Sequence, residues 1–279
     1  MKAVKECYPC LGRLVRQAAE LATDDYTLRV KAIDRGLKLL GREFSTDKTS
    51  IAVATPLHRV VREVTGNADP YSRMKEAEVD LARSLRTGWK PNPEGNIRHY
   101  LILSVLGNNI DFFKDMKQIK EGLAKPVEFS IDDTSEWEKK LKNAKSILYL
   151  ADNAGEVFFD IPLVKRLDDF APVTYVVKES PVQNDITRDD LEKFGLAGEL
   201  PRVITTGTDT PGVDMDMASE EFKAEFEAAD LVLAKGMGYW ETLSELPPQG
   251  KVFYLLKAKC KPVADSLGVT LNSYVALLR

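Results

Sequence analysis

Hydrophobic and polar positions along the chain follow two different rhythms. From Met1 to about Asn143 apolar residues recur at three- and four-residue steps, the signature of amphipathic helices. "LGRLVRQAAELA" puts Leu11, Leu14, Val15, Ala18, Leu21 and Ala22 on one face. "YTLRVKAIDRGLKLL" repeats the habit with Leu28, Ala32, Leu37 and Leu40. "DPYSRMKEAEVDLARSL" opens with Asp69 as an N-cap candidate and Pro70 at the first helical position. "GNIRHYLILSVLGNNIDFF" predicts a further helix, interrupted near Gly107. After Lys145 short β-rich runs take over: "SILYL", "VTYVV", "RVI", "DLVLA" and "KVFYLL". Between them lie helical stretches such as "EVFFDIPLVKRLDDF" and "SEEFKAEFEAA". Strands alternating with helices predict βαβ units and a mostly parallel sheet. The expected fold is therefore α/β, a Rossmann-like sheet with flanking helices over residues 144–279. An all-helical domain over residues 1–143 precedes it, with a site between the two.

In an open parallel sheet, ligands bind beyond the carboxyl ends of the strands. Asp152 and Asn153, with Gly155 and Glu156, follow "SILYL"; Asn184, Asp185 and Thr187 follow "VTYVVKESPV". Thr205, Thr206, Gly207 and Thr208 follow "RVI"; Lys235, Gly236 and Gly238 follow "DLVLA"; Lys257 and Lys259 follow "KVFYLL". Carboxylate and amide oxygens are hard ligands suited to Mg²⁺ or Mn²⁺. Glycines at a helix start let backbone N–H groups approach an anion, and a strand-end lysine neutralises phosphate as a point charge. The strand ends thus hold the groups needed to bind a divalent cation and a phosphate together, with Gly155, Glu156, Thr206, Lys235 and Gly236 on the phosphate side. Each pair also has a plainer use, since Asp-Asn and Asn-Asp are good turn and cap residues. Their joint placement at neighbouring strand ends favours a site.

Composition narrows the classes. The 279 residues are 44% hydrophobic and 29% charged, enough to build one large domain or two modest ones. A net charge of -4 lacks the basic surplus of a nucleic-acid binder. No apolar run approaches the roughly 20 residues of a membrane-spanning helix. Arg13, Arg16 and Gln17 break up the N-terminal segment, so an amphipathic helix is expected there and not a signal peptide. Three cysteines are too few for a disulfide framework, and a reducing cytoplasm is the expected compartment.

Other motifs carry less. "KGMGYWE" lacks the third glycine of a dinucleotide fingerprint, and no Walker A loop occurs. "DMD" at Asp214–Asp216 has no hydrophobic strand running into it and is expected in a loop. His58 and His99 fall in predicted helices without a Glu-x-x-His context, which favours structural or surface roles. Cys7-x-x-Cys10 suits half of a zinc site, a redox pair, or two small residues packed beside Tyr8 and Pro9.

Five motifs occur together in order: "CYPC", "GNNIDF", "DNAGEVFFD", "SPVQNDIT" and "KGMGYWE". In this the chain resembles the damage-control phosphatases, formerly domain of unknown function 89, and among them subfamily I with its N-terminal CxxC motif. The likeness runs from Cys7 to about Thr242. It implies a metal-dependent phosphomonoesterase with a helical domain beside a Rossmann-like one. It implies Asp152, Asn153 and Asp185 as ligands of Mn²⁺, Ni²⁺, Co²⁺ or Mg²⁺, and Lys235 as the phosphate-contacting lysine. Asn108 and Asp111 are implied as contributions across the cleft, Asp111 as general base or sugar contact, and Glu241 keeps its family place. Sugar phosphates, phosphopantetheine-type metabolites or damaged nucleotides are the implied substrates. One departure is Tyr239, where the family often has Asn. Attack by an activated water or by Asp152 itself both remain open. So do three other readings: an S-adenosylmethionine-dependent carboxyl methyltransferase, a non-catalytic nucleotide- or metal-binding module, and a thiol-redox role for Cys7 and Cys10. The sequence does not reveal an oligomeric state.

Overall fold

The computed structural model describes residues 1–86, 95–109 and 126–279, with the side chains of residues 86 and 109 left aside. Helices and strands are numbered in chain order over those residues. Helix α1 (Cys7–Ala22), α2 (Tyr26–Glu43) and α3 (Ser50–Thr65) pack around a core of their own. Leu11, Val15 and Ala18 of α1 meet Ala32 and Leu40 of α2 and Val53, Leu57 and Val61 of α3. Local chemistry fixes the ends: Asp25 accepts from the Leu28 N–H at 3.0 Å and Thr49 from the Ala52 N–H at 3.1 Å. Helices α1 and α2 approach so closely that a Cβ on Gly36 would lie 2.4 Å from Val15 Cγ1.

The remaining elements are α4 (Ser72–Arg86), α5 (Ile97–Leu106), β1 (Phe129–Asp132), α6 (Thr134–Leu141), β2 (Ile147–Leu150), α7 (Val157–Asp168), β3 (Val173–Val177), α8 (Arg188–Lys193), β4 (Arg202–Thr205), α9 (Glu220–Ala228), β5 (Leu231–Lys235), α10 (Gly236–Leu243), β6 (Val252–Lys257), α11 (Lys261–Leu267) and β7 (Tyr274–Leu278). The seven strands form one sheet in the order β1-β7-β6-β5-β2-β3-β4. All neighbours are parallel except β6 and β7. All five strand runs expected from the sequence are present. Both faces of the sheet are covered: Ile147, Tyr149, Leu233 and Phe253 face one core with α4–α7, and Leu148, Leu150, Val232 and Tyr254 face the other with α9–α11. Double burial is why these strands read as continuous apolar runs without alternation.

The sheet begins earlier in the chain than residue 144. Strand β1 lies within the segment expected to be helical, and α6 follows it with Trp137 stacked on Phe253 at 4.4 Å. Helices α4 and α5 also pack against the sheet, where Val79, Leu101 and Val105 share a core with Tyr149 and Phe159. Strand β1 has only four residues and is half exposed on alternate positions, so its sequence carries little signal. No described helix is long and apolar enough to cross a membrane.

Candidate functional site

From β2 the chain moves outward through β3 and β4, then returns on the other side through β5 and β6. The switch point lies between β2 and β5, where a doubly wound sheet opens a crevice. Asp152 sits there. The Ala151 N–H still bonds to Val176 O at 3.0 Å, so the ladder delivers the next residue to the rim. The loop after β3 folds back over this end: Ile186 N–H donates to Asp152 O and Ala154 N–H to Asn184 O, both at 2.9 Å. Asn153 and Asp185 thereby face each other in an isolated antiparallel bridge. Asn184 Nδ2 anchors the loop on both Glu78 carboxylate oxygens, at 3.1 and 2.9 Å.

These groups open onto a cavity of about 670 Å³ between the sheet edge and helices α1, α3 and α4. Asp152, Asn153, Asp185 and Asn108 line one side, and Leu11, Leu14, Ile51 and Ala54 the other. Met237 and Gly238, in the first turn of α10, also line it, as do Glu241, Cys7, Cys10 and Cys260. Asn108 is buried, and its Nδ2 has no partner among the described residues. Ser50 Oγ donates to Glu241 Oε1, tying α3 to α10, and burial raises the Glu241 pKa. The three cysteines are free thiols; Cys7 is buried and Cys10 exposed. Burial raises the Cys7 pKa and pushes Cys260 up to about 11, which keeps both as thiols at neutral pH. His58 is buried in α3 with its pKa lowered to about 4, so it stays neutral and structural.

Burial pushes the Asp152 pKa well above the usual carboxylate range, and the charges on Glu156 and Asp185 push the same way. Asp185 is pushed up to about 6, again mainly by burial, against the pull of Lys178. Two carboxylates forced together away from water are what a dication would relieve. Asn153 Nδ2 donates to Asp152 Oδ2 at 3.2 Å and to Glu156 Oε1 at 2.6 Å. With the nitrogen so committed, the amide oxygen is the atom left for a cation. Two carboxylates and an amide oxygen fit a hard divalent ion that retains waters. Among the described residues, no cluster of three His, Cys, Asp or Glu side chains is arranged as a metal cage.

Several residues expected at the phosphate lie behind this wall. Lys235 is fully buried, with Nζ donating to Glu156 Oε2 at 2.9 Å, Asp160 Oδ1 at 2.7 Å and Ser104 O at 3.1 Å. All three of its N–H groups are engaged, and it does not line the cavity. Glu156 is buried as its counter-ion. Gly155 packs on α4, where a Cβ would meet Glu78 O at 3.2 Å. Thr206 is buried in the loop after β4, with Oγ1 3.3 Å from the Thr208 N–H. Gly236, at φ +81°, lies directly under Asp152, and a Cβ there would fall 2.0 Å from Oδ2. Asp111 falls outside the described residues.

Other residues of the site were not singled out in the sequence. Lys178, buried at the exit of β3, sits 3.5 Å from Asp185 Oδ2 and donates to Gly212 O and, at 3.1 Å, to Tyr239 OH. Tyr239 is therefore a partner of Lys178 and not a wall of the cavity. Asp160 was legible: Glu156 and Asp160 are four residues apart in an otherwise apolar helix start, which implies a buried cation facing both.

Residues 3–275 match a family model described as the damage-control phosphatase ARMT1-like domain. A protein named damage-control phosphatase from Pyrococcus horikoshii is 34% identical over 284 residues, covering 99% of this chain and 98% of its own. Another of that name from Archaeoglobus fulgidus is 34% identical over 295 residues, covering 99% of each. The crystal structure of a domain-of-unknown-function-89 protein from Pyrococcus horikoshii superposes with a TM-score of 0.91 at 32% identity, covering 100% of this chain and 99% of that one.

Proposed function

The chain belongs to the damage-control phosphatase ARMT1-like family, and on that premise we propose that it is a metal-dependent phosphomonoesterase of small metabolites. Asp152, Asn153 and Asp185 hold the ion in this reading, and the observation that carries it is their convergence at the switch point. Two buried carboxylates flank an amide whose nitrogen is already occupied. A divalent ion held there would supply Lewis-acid charge to a bound phosphate ester. Asn108 Nδ2, buried and unpartnered among the described residues, donates to a phosphate oxygen. The first turn of α10, at Met237 and Gly238, presents a helix N-terminus to the same anion. Gly236 keeps the backbone beneath Asp152 free of a side chain that would displace it. In this reading Asp152 is a ligand, and because a bound dication would blunt its nucleophilicity, water is favoured as the attacking group. Asp111 as general base is carried by family resemblance alone. Relatives named phosphatase give no support to methyl transfer.

The test compares Mn²⁺ binding by calorimetry with Mn²⁺-stimulated hydrolysis of p-nitrophenyl phosphate. Asp152→Ala and Asp185→Ala are expected to lose both, whereas Asp152→Asn keeps the fold and loses metal affinity. Full metal-stimulated turnover in either alanine variant would refute the assignment.

A further inference from the structure

A phosphate bound at this site would gain from a positive side chain facing it, and Lys235 does not line the cavity. Its ammonium is fully buried and its three donors are spent on Glu156, Asp160 and Ser104 O. Turning it toward a substrate would strand two buried carboxylates without a counter-charge. A second strand-end lysine stands on the cavity side. Lys259 follows β6, the neighbour of β5, and lines the same cavity as Asp152, Asn153 and Asp185.

The backbone around Lys259 is built. Ala258 N–H donates to Ser273 O at 2.9 Å and Asn272 N–H to Ala258 O at 2.8 Å, which clamps the exit of β6. The Lys259 N–H itself points to Met237 Sδ at 3.2 Å, holding the residue beside the first turn of α10. Its side chain is exposed and forms no ion pair with a described carboxylate. Lys261, the nearby alternative, is held by Asp265 Oδ2 at 2.5 Å. Arg13 reaches the cavity from α1, the opposite wall.

We propose that Lys259 is the cation that binds the substrate phosphate, in the place expected of Lys235, which stays a buried counter-ion of Glu156 and Asp160. The proposal rests on the phosphatase reading above. A lysine on a flexible stem at the cavity edge can follow the phosphoryl group as a point charge, while a sequestered one cannot. Lys259, Asn108 and the start of α10 then meet the anion from three elements that line the same cavity as Asp152, Asn153 and Asp185.

The probe is inorganic phosphate binding to the Mn²⁺-loaded protein, measured by calorimetry at two salt concentrations. Lys259→Met is expected to weaken phosphate binding by roughly tenfold or more, the value of a charge-assisted contact. Mn²⁺ affinity and the unfolding midpoint should stay at the wild-type values, and Lys259→Arg should restore most of the phosphate affinity. The KM for p-nitrophenyl phosphate should rise alongside the phosphate dissociation constant. Phosphate affinity within twofold of wild type in Lys259→Met overturns the proposal, as does a wild-type protein that binds Mn²⁺ but no phosphate. Failure of the phosphatase reading looks different: wild-type protein would then bind no Mn²⁺ or show no Mn²⁺-stimulated turnover.

Discussion

Replacing Lys235 by Met removes one positive charge from a place where nothing can substitute for it. Lys235, Glu156 and Asp160 are each no more than 1% exposed. The ammonium joins both carboxylates at 2.9 and 2.7 Å, and Asp160 Oδ2 already lacks a partner among the described residues. Without the lysine, Asp160 keeps the Ser104 hydroxyl at 2.6 Å and Glu156 the Asn153 amide at 2.6 Å, neither of which carries a positive charge. Removing one partner of a buried pair costs about 3–5 kcal/mol, whereas an exposed pair is worth about 0–1 kcal/mol. Against a typical total of about 5–15 kcal/mol, the first value is a large fraction of the stability. Urea unfolding of Lys235→Met, followed by circular dichroism, should therefore show a loss of about 3–5 kcal/mol. Adding Asp160→Asn should recover about 1–3 kcal/mol, because the two residues are in direct contact. A loss below about 1 kcal/mol, or no recovery in the double variant, would refute the view that this lysine is internal.

Two other outcomes are expected. Gly236→Ala places a Cβ 2.0 Å from Asp152 Oδ2 on a backbone at φ +81°, so it should cost about 1–3 kcal/mol of stability and lower Mn²⁺ affinity measurably in calorimetry; wild-type affinity would count against Asp152 as a ligand. The Asp185 pKa is raised from 3.8 to about 6, so the folded metal-free chain holds this proton more tightly than the unfolded one. Its contribution to stability is full below about 3.8 and is lost as pH rises through about 6. A metal needs the ionised form, so Mn²⁺ affinity should fall below pH about 6 by up to about tenfold per unit, with proton release seen as buffer-dependent heat; a flat profile between pH 5 and 7.5 would be inconsistent with about this pKa.

Much of the fold was legible because burial leaves a periodic trace on each element. Strands β2, β3, β5 and β6 are apolar at nearly every position, since helices cover both faces, and α1 repeats apolar residues at helical steps. Strand β7 was missed because "YVALL" is short and its burial is partial and without alternation, so it carries little periodic signal. Periodicity tells which face of a helix is buried, not what buries it, so it could not sort the helices before residue 144 into layers. Helices α4 and α5 read like α1–α3, yet they cover the sheet.

Chain order alone placed Asp152, Asn153 and Asp185 at strand ends, because a parallel sheet sends every such residue to one edge. The sequence could not decide between lysines. Lys178, Lys235 and Lys259 all follow strands, and as residue types they are interchangeable. Tertiary packing separates them. Helix α7 sets Glu156 and Asp160 facing Lys235 under α5, and the ion pairs formed there hold it inside. Lys178 is enclosed by Tyr239, Gly212 and Asp185, and Lys259 is left at the cavity edge. The sequence by itself determined which residues stand at the strand ends; only the packing of helices from distant parts of the chain decided which of them open onto the cavity and which charges are buried as counter-ions. The reason is physical: the cost of burying a charge depends on what surrounds it in space, and that is fixed by contacts such as Lys235 with Ser104, 131 positions apart.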